Sequence, residues 1–115
     1  MGMIVEIRTY RIVPGEIDEF VRVMMSESIP LIEAAGIRVC AAGKSLVREE
    51  GHDEAYLIRA FDSFEQHRAQ EDAFYSSEAW LMGPRRAIVS RIESAHSVTL
   101  EVSTEVVIRA LTTMS

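Results

Sequence analysis

Polar and apolar residues alternate in some stretches of the chain and recur at helical spacing in others. Residues 3–13 alternate with period two and predict a first strand, which Pro14 ends. Residues 15–35 carry apolar side chains at helical spacing and predict a helix. Pro30 is expected to kink or split this helix, and Gly36 to cap it. Residues 37–49 and 54–61 predict a hairpin around a turn at 50–53.

The second half of the chain predicts a further helical region and a fourth strand. Ser63 and Gln66 have the spacing of a capping box, so a second helix is predicted from Asp62-Ser63 to about Trp80. Gly83-Pro84 interrupts it before a short helical piece over 85–91, and residues 93–102 alternate as a fourth strand. Residues 104–111 are expected to form a short tail helix.

This order predicts an α+β fold of the ferredoxin-like β-α-β-β-α-β type, with a four-stranded antiparallel sheet and strands one and three in its centre. The length of 115 residues predicts one domain over 1–115, with a core over 3–102 and a tail over 103–115.

The helices of such a fold cover one sheet face, and the alternation assigns side chains to the two faces. If Val5 and Ile7 lie under the helices, the open face carries charged, aromatic and small residues: Glu6, Arg8, Tyr10, Leu57, Arg59, Phe61, Arg38, Cys40 and Ala42. The same reasoning places His96, Val98, Leu100 and Val102 under the helices. A mixed apolar and charged open face predicts an interface, so we expect a two-fold homodimer with a cavity between the sheets.

Composition narrows the possible partners. A formal net charge of −6 argues against nucleic acid, whose binding depends on Lys and Arg. No apolar run approaches the ~20 residues that a membrane-spanning helix needs, and the beginning of the chain does not resemble a secretory signal. Cys40 is the only cysteine, which excludes an internal disulfide and favours a reducing, cytoplasmic compartment.

Arginine side chains are the main candidates for chemistry. Arg8 and Arg59, on adjacent central strands, are suited to hold a carboxylate or another organic anion, with Tyr10 as a hydrogen-bonding partner. The predicted ligand-binding residues of the inter-sheet cavity are Glu6, Arg8, Tyr10, Arg38, Arg59 and Phe61. The alternative is that Glu6 pairs with the arginines in purely structural ion pairs.

Other candidate residues have simpler interpretations. Cys40 is either a reactive thiol activated by Arg38 and Lys44 or a small apolar filler. His96 is expected to be a buried structural residue. No spacing of His, Cys and acidic residues predicts a metal site, and we expect no cofactor.

The chain resembles the NIPSNAP family, a branch of the dimeric α+β barrel proteins. The resemblance is carried by short motifs in order over about residues 4–100: Glu6-x-Arg8-x-Tyr10, Pro14-Gly15, Pro30-Leu31, Ala35-Gly36, Asp62-Ser63 and Trp80. It implies a ferredoxin-like fold and a two-sheet barrel formed by dimerisation. It implies little about activity, because the family is mostly uncharacterised; the wider superfamily includes haem-degrading and cofactor-free oxygenases and small-molecule isomerases.

The sequence departs from the family at three places. Leu57 and Arg59 stand where relatives often carry a His and a Trp, and residues 39–43 replace a segment rich in Gly and aromatic residues. In haem-binding superfamily members a helix histidine near His67 can ligate iron; the alternative for His67 is a partly buried, locally hydrogen-bonded residue.

The sequence supports three hypotheses of function. The leading hypothesis is a homodimer that binds a small anionic or amphipathic organic ligand. The alternatives are a cofactor-free oxygenase or isomerase, and an interaction module without a ligand.

Overall fold

The protein, described by a computed structural model, is a four-stranded antiparallel sheet with helices packed on one face. The structure describes residues 2–103, 105 and 109. The strands are β1 (Gly2–Ile12), β2 (Arg38–Lys44), β3 (Glu54–Phe61) and β4 (Ile92–Ser103), in the order β2-β3-β1-β4. Strands β1 and β3 are thus central, and the ferredoxin-like α+β fold predicted from the sequence is confirmed.

The first helical region is divided just before Pro30, where the sequence predicts a kink or a split. It consists of α1 (Ile17–Val23), a π-type turn (Met24–Ser28) and α2 (Ile29–Ala34). Pro30 lies in the first turn of α2, directly after the π-type turn, and it has no N–H to donate to the preceding helical turn. Gly36 ends the helix with a φ of 88°, and the following amide of Ile37 donates to the Ile32 carbonyl at 3.2 Å.

The second helical region begins as predicted but is divided into three pieces. Helix α3 covers Phe64–Tyr75, α4 covers Glu78–Leu81 and α5 covers Arg85–Val89. The Ser63 hydroxyl accepts from the Gln66 amide at 3.1 Å. The predicted continuous helix to Trp80 is wrong, because Ser77 caps a new helix by accepting from the Trp80 amide at 3.3 Å.

The end of β2 differs from the prediction, and most of the predicted tail helix lies outside the residues that the structure describes. Strand β2 ends at Lys44 and not at residue 49, because a loop containing a 3₁₀ turn (Glu49–Gly51) connects it to β3. Most of the predicted tail helix over 104–111 lies outside the described residues. Among the described residues, no helix combines the length and apolar composition that crossing a bilayer requires.

The predicted assignment of the two sheet faces is wrong for β1, β3 and β4, and also for Ala42 of β2, which pairs with Leu57 and packs against the core. Ile4, Glu6, Tyr10 and Ile12 are the buried residues of β1, and they lie under the helices. Their neighbours on β3 under the same helices are Leu57, Arg59 and Phe61, all buried. The error has a physical reason: β1 carries apolar side chains on both faces, so alternation alone cannot show which face the helices cover.

The open face of the sheet is therefore the apolar one. Its apolar residues are Met3, Val5, Ile7, Ile58, Ala60, Val98, Leu100 and Val102. Ile7 and Val98, directly paired across β1 and β4, are 37% and 48% exposed. His96 belongs to this face as well and is exposed, not buried.

Candidate functional site

The helix-covered face of the sheet carries a buried ionic cluster of four residues: Glu6, Arg59, His67 and Glu71. Glu6 and Arg59 are direct partners across β1 and β3, and His67 and Glu71 lie one turn apart on α3. Arg59 and Glu6 are almost completely buried, at 0% and 3% exposure. Charges at such depth require partners, because desolvation of an unpaired ion is very costly.

Arg59 is the centre of this buried ionic cluster. Its Nε donates to Glu6 Oε1 at 3.0 Å, and its Nη2 contacts the same oxygen. Nη2 also lies 2.8 Å from Glu71 Oε2. Nη1 donates to the Tyr75 hydroxyl oxygen at 2.8 Å. A single planar guanidinium therefore fixes two carboxyl groups and one phenol.

His67 closes the cluster on the side of Phe61. Its Nε2 lies 3.1 Å from Glu6 Oε2 and 3.5 Å from Glu71 Oε2. The Phe61 ring meets the imidazole edge-on, with centroids 4.7 Å apart. Of the two interpretations that the sequence left open, His67 is a buried, hydrogen-bonded residue, but its partner comes from β1 and not from its own helix.

The pKa values of the two carboxyl groups in the cluster are shifted in opposite directions. Burial raises the pKa of Glu71 to about 7, with its hydrogen bond to Glu6 and the Glu6 charge adding to the effect and the Arg59 charge opposing it. Burial would also raise the pKa of Glu6, but the Arg59 charge and the hydrogen bonds from Glu71, His67 and Arg59 lower it below its ordinary value. Glu6 is therefore the carboxylate, and Glu71 holds a proton that it can release near neutrality.

Glu6, His67 and Glu71 are also of the ligand types that bind a divalent cation. Their ligand atoms lie within 4.8 Å of one another. The Arg59 guanidinium already contacts both carboxyl groups at this point. Because a positive guanidinium already occupies the position beside both carboxyl groups, the arrangement suits an ion pair better than a metal ion.

A cleft of about 330 Å³ opens beside the cluster, between the sheet and helices α3 to α5. We call it the helix–sheet cleft; its lining includes Arg8, Tyr10, Tyr75, Trp80, Arg85 and Ile88. A cavity of about 20 Å³ continues it inward past Tyr10, Tyr75 and Trp80. The volume lies at the lower end of the range of small-molecule sites.

The cleft is open because the helices leave β4 uncovered. Ala95, Ser97 and Thr99 pair with Tyr10, Arg8 and Glu6, so they point to the helix side of the sheet, yet all three are exposed. Small side chains on this strand therefore form an accessible floor beside β1.

Arg8 is the residue of the cleft that is best placed to hold an anion. Its Cζ lies 5.8 Å from the Tyr10 ring centroid and 6.0 Å from that of Tyr75. Among the described residues, no carboxylate lies within 4 Å of its guanidinium, and its buried Nε has no hydrogen-bond partner. A partly buried guanidinium without an anion lacks the interactions that normally offset its desolvation.

The structure separates the predicted ligand-binding residues into three groups. Arg8 and Tyr10 line the helix–sheet cleft. Glu6 and Arg59 pair with each other in the buried ionic cluster, as the structural alternative predicted, and Phe61 packs against it. Arg38 lies apart from both: it pairs with Ala60 on β3 and reaches the exposed Asp62 at 3.4 Å.

Cys40 does not have the surroundings of an activated thiol. It is exposed at an irregularity of β2 between Val39 and Ala41. Desolvation raises the pKa of its thiol, and the opposing effect of Arg38 is smaller.

Glu71, Tyr75 and Arg85 are the site residues that sequence reasoning missed. The available signal was the spacing of His67, Glu71 and Tyr75, which recur every four residues on one side of α3. That side faces the sheet, although its residues are polar.

Comparisons with known proteins agree with this fold. The family model named NIPSNAP matches residues 5–104. A NIPSNAP domain protein from Burkholderia xenovorans, described as uncharacterized, is 25% identical and has a TM-score of 0.75, with 88% of this chain and 95% of that chain covered. A NIPSNAP family protein of unknown function from Agrobacterium tumefaciens is 24% identical, has a TM-score of 0.77 and covers 88% of each chain. No curated protein matches the sequence. Because the family model covers most of the chain, the protein belongs to the NIPSNAP family.

Proposed function

We propose that this NIPSNAP protein binds a small organic anion with an aromatic or apolar body in the helix–sheet cleft, and that it does so as a homodimer. The observation that carries the proposal is Arg8, a partly buried guanidinium without an anionic partner among the described residues. Arg85 adds a second positive charge at the cleft.

The remainder of the cleft favours a ligand with a flat apolar part. Tyr10, Tyr75 and Trp80 provide aromatic surfaces, and Ile88 provides an aliphatic one. Tyr10 contributes as a neutral phenol, since burial raises its pKa well above the ordinary value. An aryl carboxylate, with its charge on Arg8 and its ring among the aromatic side chains, satisfies both parts of the cleft.

Calorimetric titration of 3-phenylpropanoate tests the binding site. We expect one binding event per chain, much weaker binding of the neutral 3-phenylpropanamide, and an affinity loss of about tenfold to a hundredfold in Arg8→Leu, since a hydrogen-bonded charge contributes about 1.5–3 kcal/mol. Arg86→Leu is the matched control, because Arg86 is exposed beside Arg85 but is not part of the cleft lining. Equal affinity of Arg8→Leu and the unmodified protein would contradict the proposed site.

The proposed dimer places the open sheet faces of two copies against each other. The support is an apolar face that the helices leave uncovered, including the exposed pair Ile7 and Val98. Leu46, in the loop after β2, is completely exposed next to a recess that reaches Thr9 and Tyr56, both on the open side of the sheet.

Sedimentation tests the dimer. The unmodified chain is expected to sediment at twice its mass of 12.9 kDa, and Val98→Lys at the monomer mass, because a lysine would be buried without a partner. Met25→Lys is the control, since Met25 is 50% exposed on the helical side. A monomeric unmodified chain at micromolar concentration refutes the proposed assembly.

A further inference from the structure

Two arginine side chains from different walls line the helix–sheet cleft. Arg8 comes from β1 and Arg85 from α5. The other described lining residues are all uncharged: Tyr10, Tyr75, Trp80, Ile88, Val89 and Ile92. A cleft with charges of one sign on otherwise uncharged walls attracts ligands of the opposite sign, and here it does so in a chain whose formal net charge is −6.

The protein itself does not neutralise these two arginines. Within the part of the chain that the structure describes, no carboxylate oxygen lies within 4 Å of the Arg8 or the Arg85 guanidinium. By contrast, Arg91 Nε lies 2.9 Å from Glu16 Oε2. Asp and Glu outnumber Lys and Arg by 18 to 12, so acidic partners are not scarce in this chain. The two unpaired charges of the cleft are therefore suited to two anionic groups of a ligand.

The spacing of residues on α5 turns Arg85 toward the cleft. Arg85 precedes Ile88 and Val89 by three and four positions, so the three residues share one side of the helix, and all of them line the cleft. Arg86, the next residue in the sequence, is exposed and is not part of the cleft lining. The two adjacent arginines therefore differ in their access to a bound molecule.

Arg8 and Arg85 lie at different depths. Arg8 is partly buried, and its buried Nε has no hydrogen-bond partner among the described residues. Arg85 is exposed. Arg8 is therefore the inner and Arg85 the outer positive charge of the cleft, and aromatic and aliphatic surfaces make up the rest of the lining.

We propose that the cleft selects organic dianions, namely dicarboxylates whose two acidic groups are joined by a flat apolar body. This inference rests on the proposed binding of organic anions in the cleft. The Arg8 guanidinium binds the inner carboxylate, the Arg85 guanidinium binds the outer one, and the apolar body lies against Tyr10 and Trp80. Arg85 is then a specificity-determining residue, because it contacts a group that only a dianion carries.

The two arginines contribute to different properties of binding. An exposed ion pair is weakened by solvent and salt, whereas a partly buried pair is screened much less. Arg8 therefore determines most of the affinity for any carboxylate, and Arg85 determines the preference for a second one. Both carboxyl groups of such a ligand are ionised at neutral pH, since their ordinary pKa is about 4.

Calorimetric titration of 3-(4-carboxyphenyl)propanoate, compared with 3-phenylpropanoate, tests the inference. The two compounds share one body and differ only by a carboxylate at the far end of the ring. We expect the dianion to bind the unmodified protein about threefold to tenfold more tightly at low ionic strength. Arg85→Leu should bring this ratio to about one and change the affinity for 3-phenylpropanoate by less than about threefold, because the exposed Arg85 contacts only the second carboxylate. Arg86→Leu is the matched control and should keep the ratio of the unmodified protein.

The two ligands separate failure of this inference from failure of the proposed function. Binding of 3-phenylpropanoate with equal or weaker binding of the dianion overturns the selection of dianions alone. A preference for the dianion that Arg85→Leu leaves unchanged, or that Arg86→Leu abolishes equally, overturns the role of Arg85. Absence of binding of both compounds overturns the proposed function itself.

Discussion

The raised pKa of Glu71 predicts a specific dependence of stability on pH. The folded protein holds this proton with a pKa of about 7, against an ordinary value of 4.5. Between these values the folded state binds more protons than the unfolded chain, so the free energy of unfolding falls as pH rises. The contribution is complete below about pH 4.5 and is lost above about pH 7.

Its magnitude follows from the two pKa values. A tenfold change in proton affinity is worth about 1.4 kcal/mol, so the upper limit is about 3 kcal/mol. Because the protonation of Glu71 depends on the charge of Glu6 and Glu71 is 15% exposed, we expect about 1–3 kcal/mol between pH 5 and pH 8.

Urea unfolding of the unmodified protein and of Glu71→Gln at pH 5, 6, 7 and 8 measures this contribution. Glutamine cannot ionise, and its amide can still donate to Glu6. The variant should therefore become more stable relative to the unmodified protein by about 1–3 kcal/mol from pH 5 to pH 8. Glu65→Gln, exposed on the same helix, should show no such difference. Parallel curves for Glu71→Gln and the unmodified protein would refute the raised pKa of Glu71.

Three further predictions concern packing and reactivity. Phe20→Ala should lower the free energy of unfolding by about 3–5 kcal/mol in urea titrations, because Phe20 is completely buried; a loss below about 1 kcal/mol would contradict its place in the core. Gly83→Ala should lower the melting temperature, whereas Met82→Ala, at an 81% exposed position, should not, because a Cβ at residue 83 would lie 2.3 Å from the Ala79 carbonyl oxygen; equal melting temperatures would show that the turn relaxes. Iodoacetamide should alkylate Cys40 no faster at pH 7 than it alkylates glutathione, since the pKa of this thiol is raised, and faster alkylation would indicate an activating group.

The order of elements could be predicted from sequence because each boundary has a local cause. Pro14 ends β1, Gly36 adopts a positive φ after α2, and Ser63 caps α3. The grouping of Glu6 with Arg59 on one side of the sheet was also correct, since side-chain parity depends only on the strand.

The side of the sheet could not be predicted because its cause is not local. Glu6 is buried because Arg59, His67 and Glu71 reach it from 53 to 65 positions away in the sequence. The alternation of polar and apolar residues assigns a carboxylate to the solvent-facing side of a strand, so it cannot predict a buried Glu6. Five of the six residues predicted for the inter-sheet site, all but Arg38, therefore lie under the helices, where α3 adds Glu71 and Tyr75, and the open face is largely apolar.

The most direct test of anion binding in the helix–sheet cleft is a crystal structure of the protein with 3-phenylpropanoate. We expect the carboxylate within hydrogen-bonding distance of the Arg8 guanidinium and the phenyl ring between Tyr10 and Trp80, under the helices. Density for the ligand between two open sheet faces, or an unliganded cleft at a saturating concentration, would contradict it.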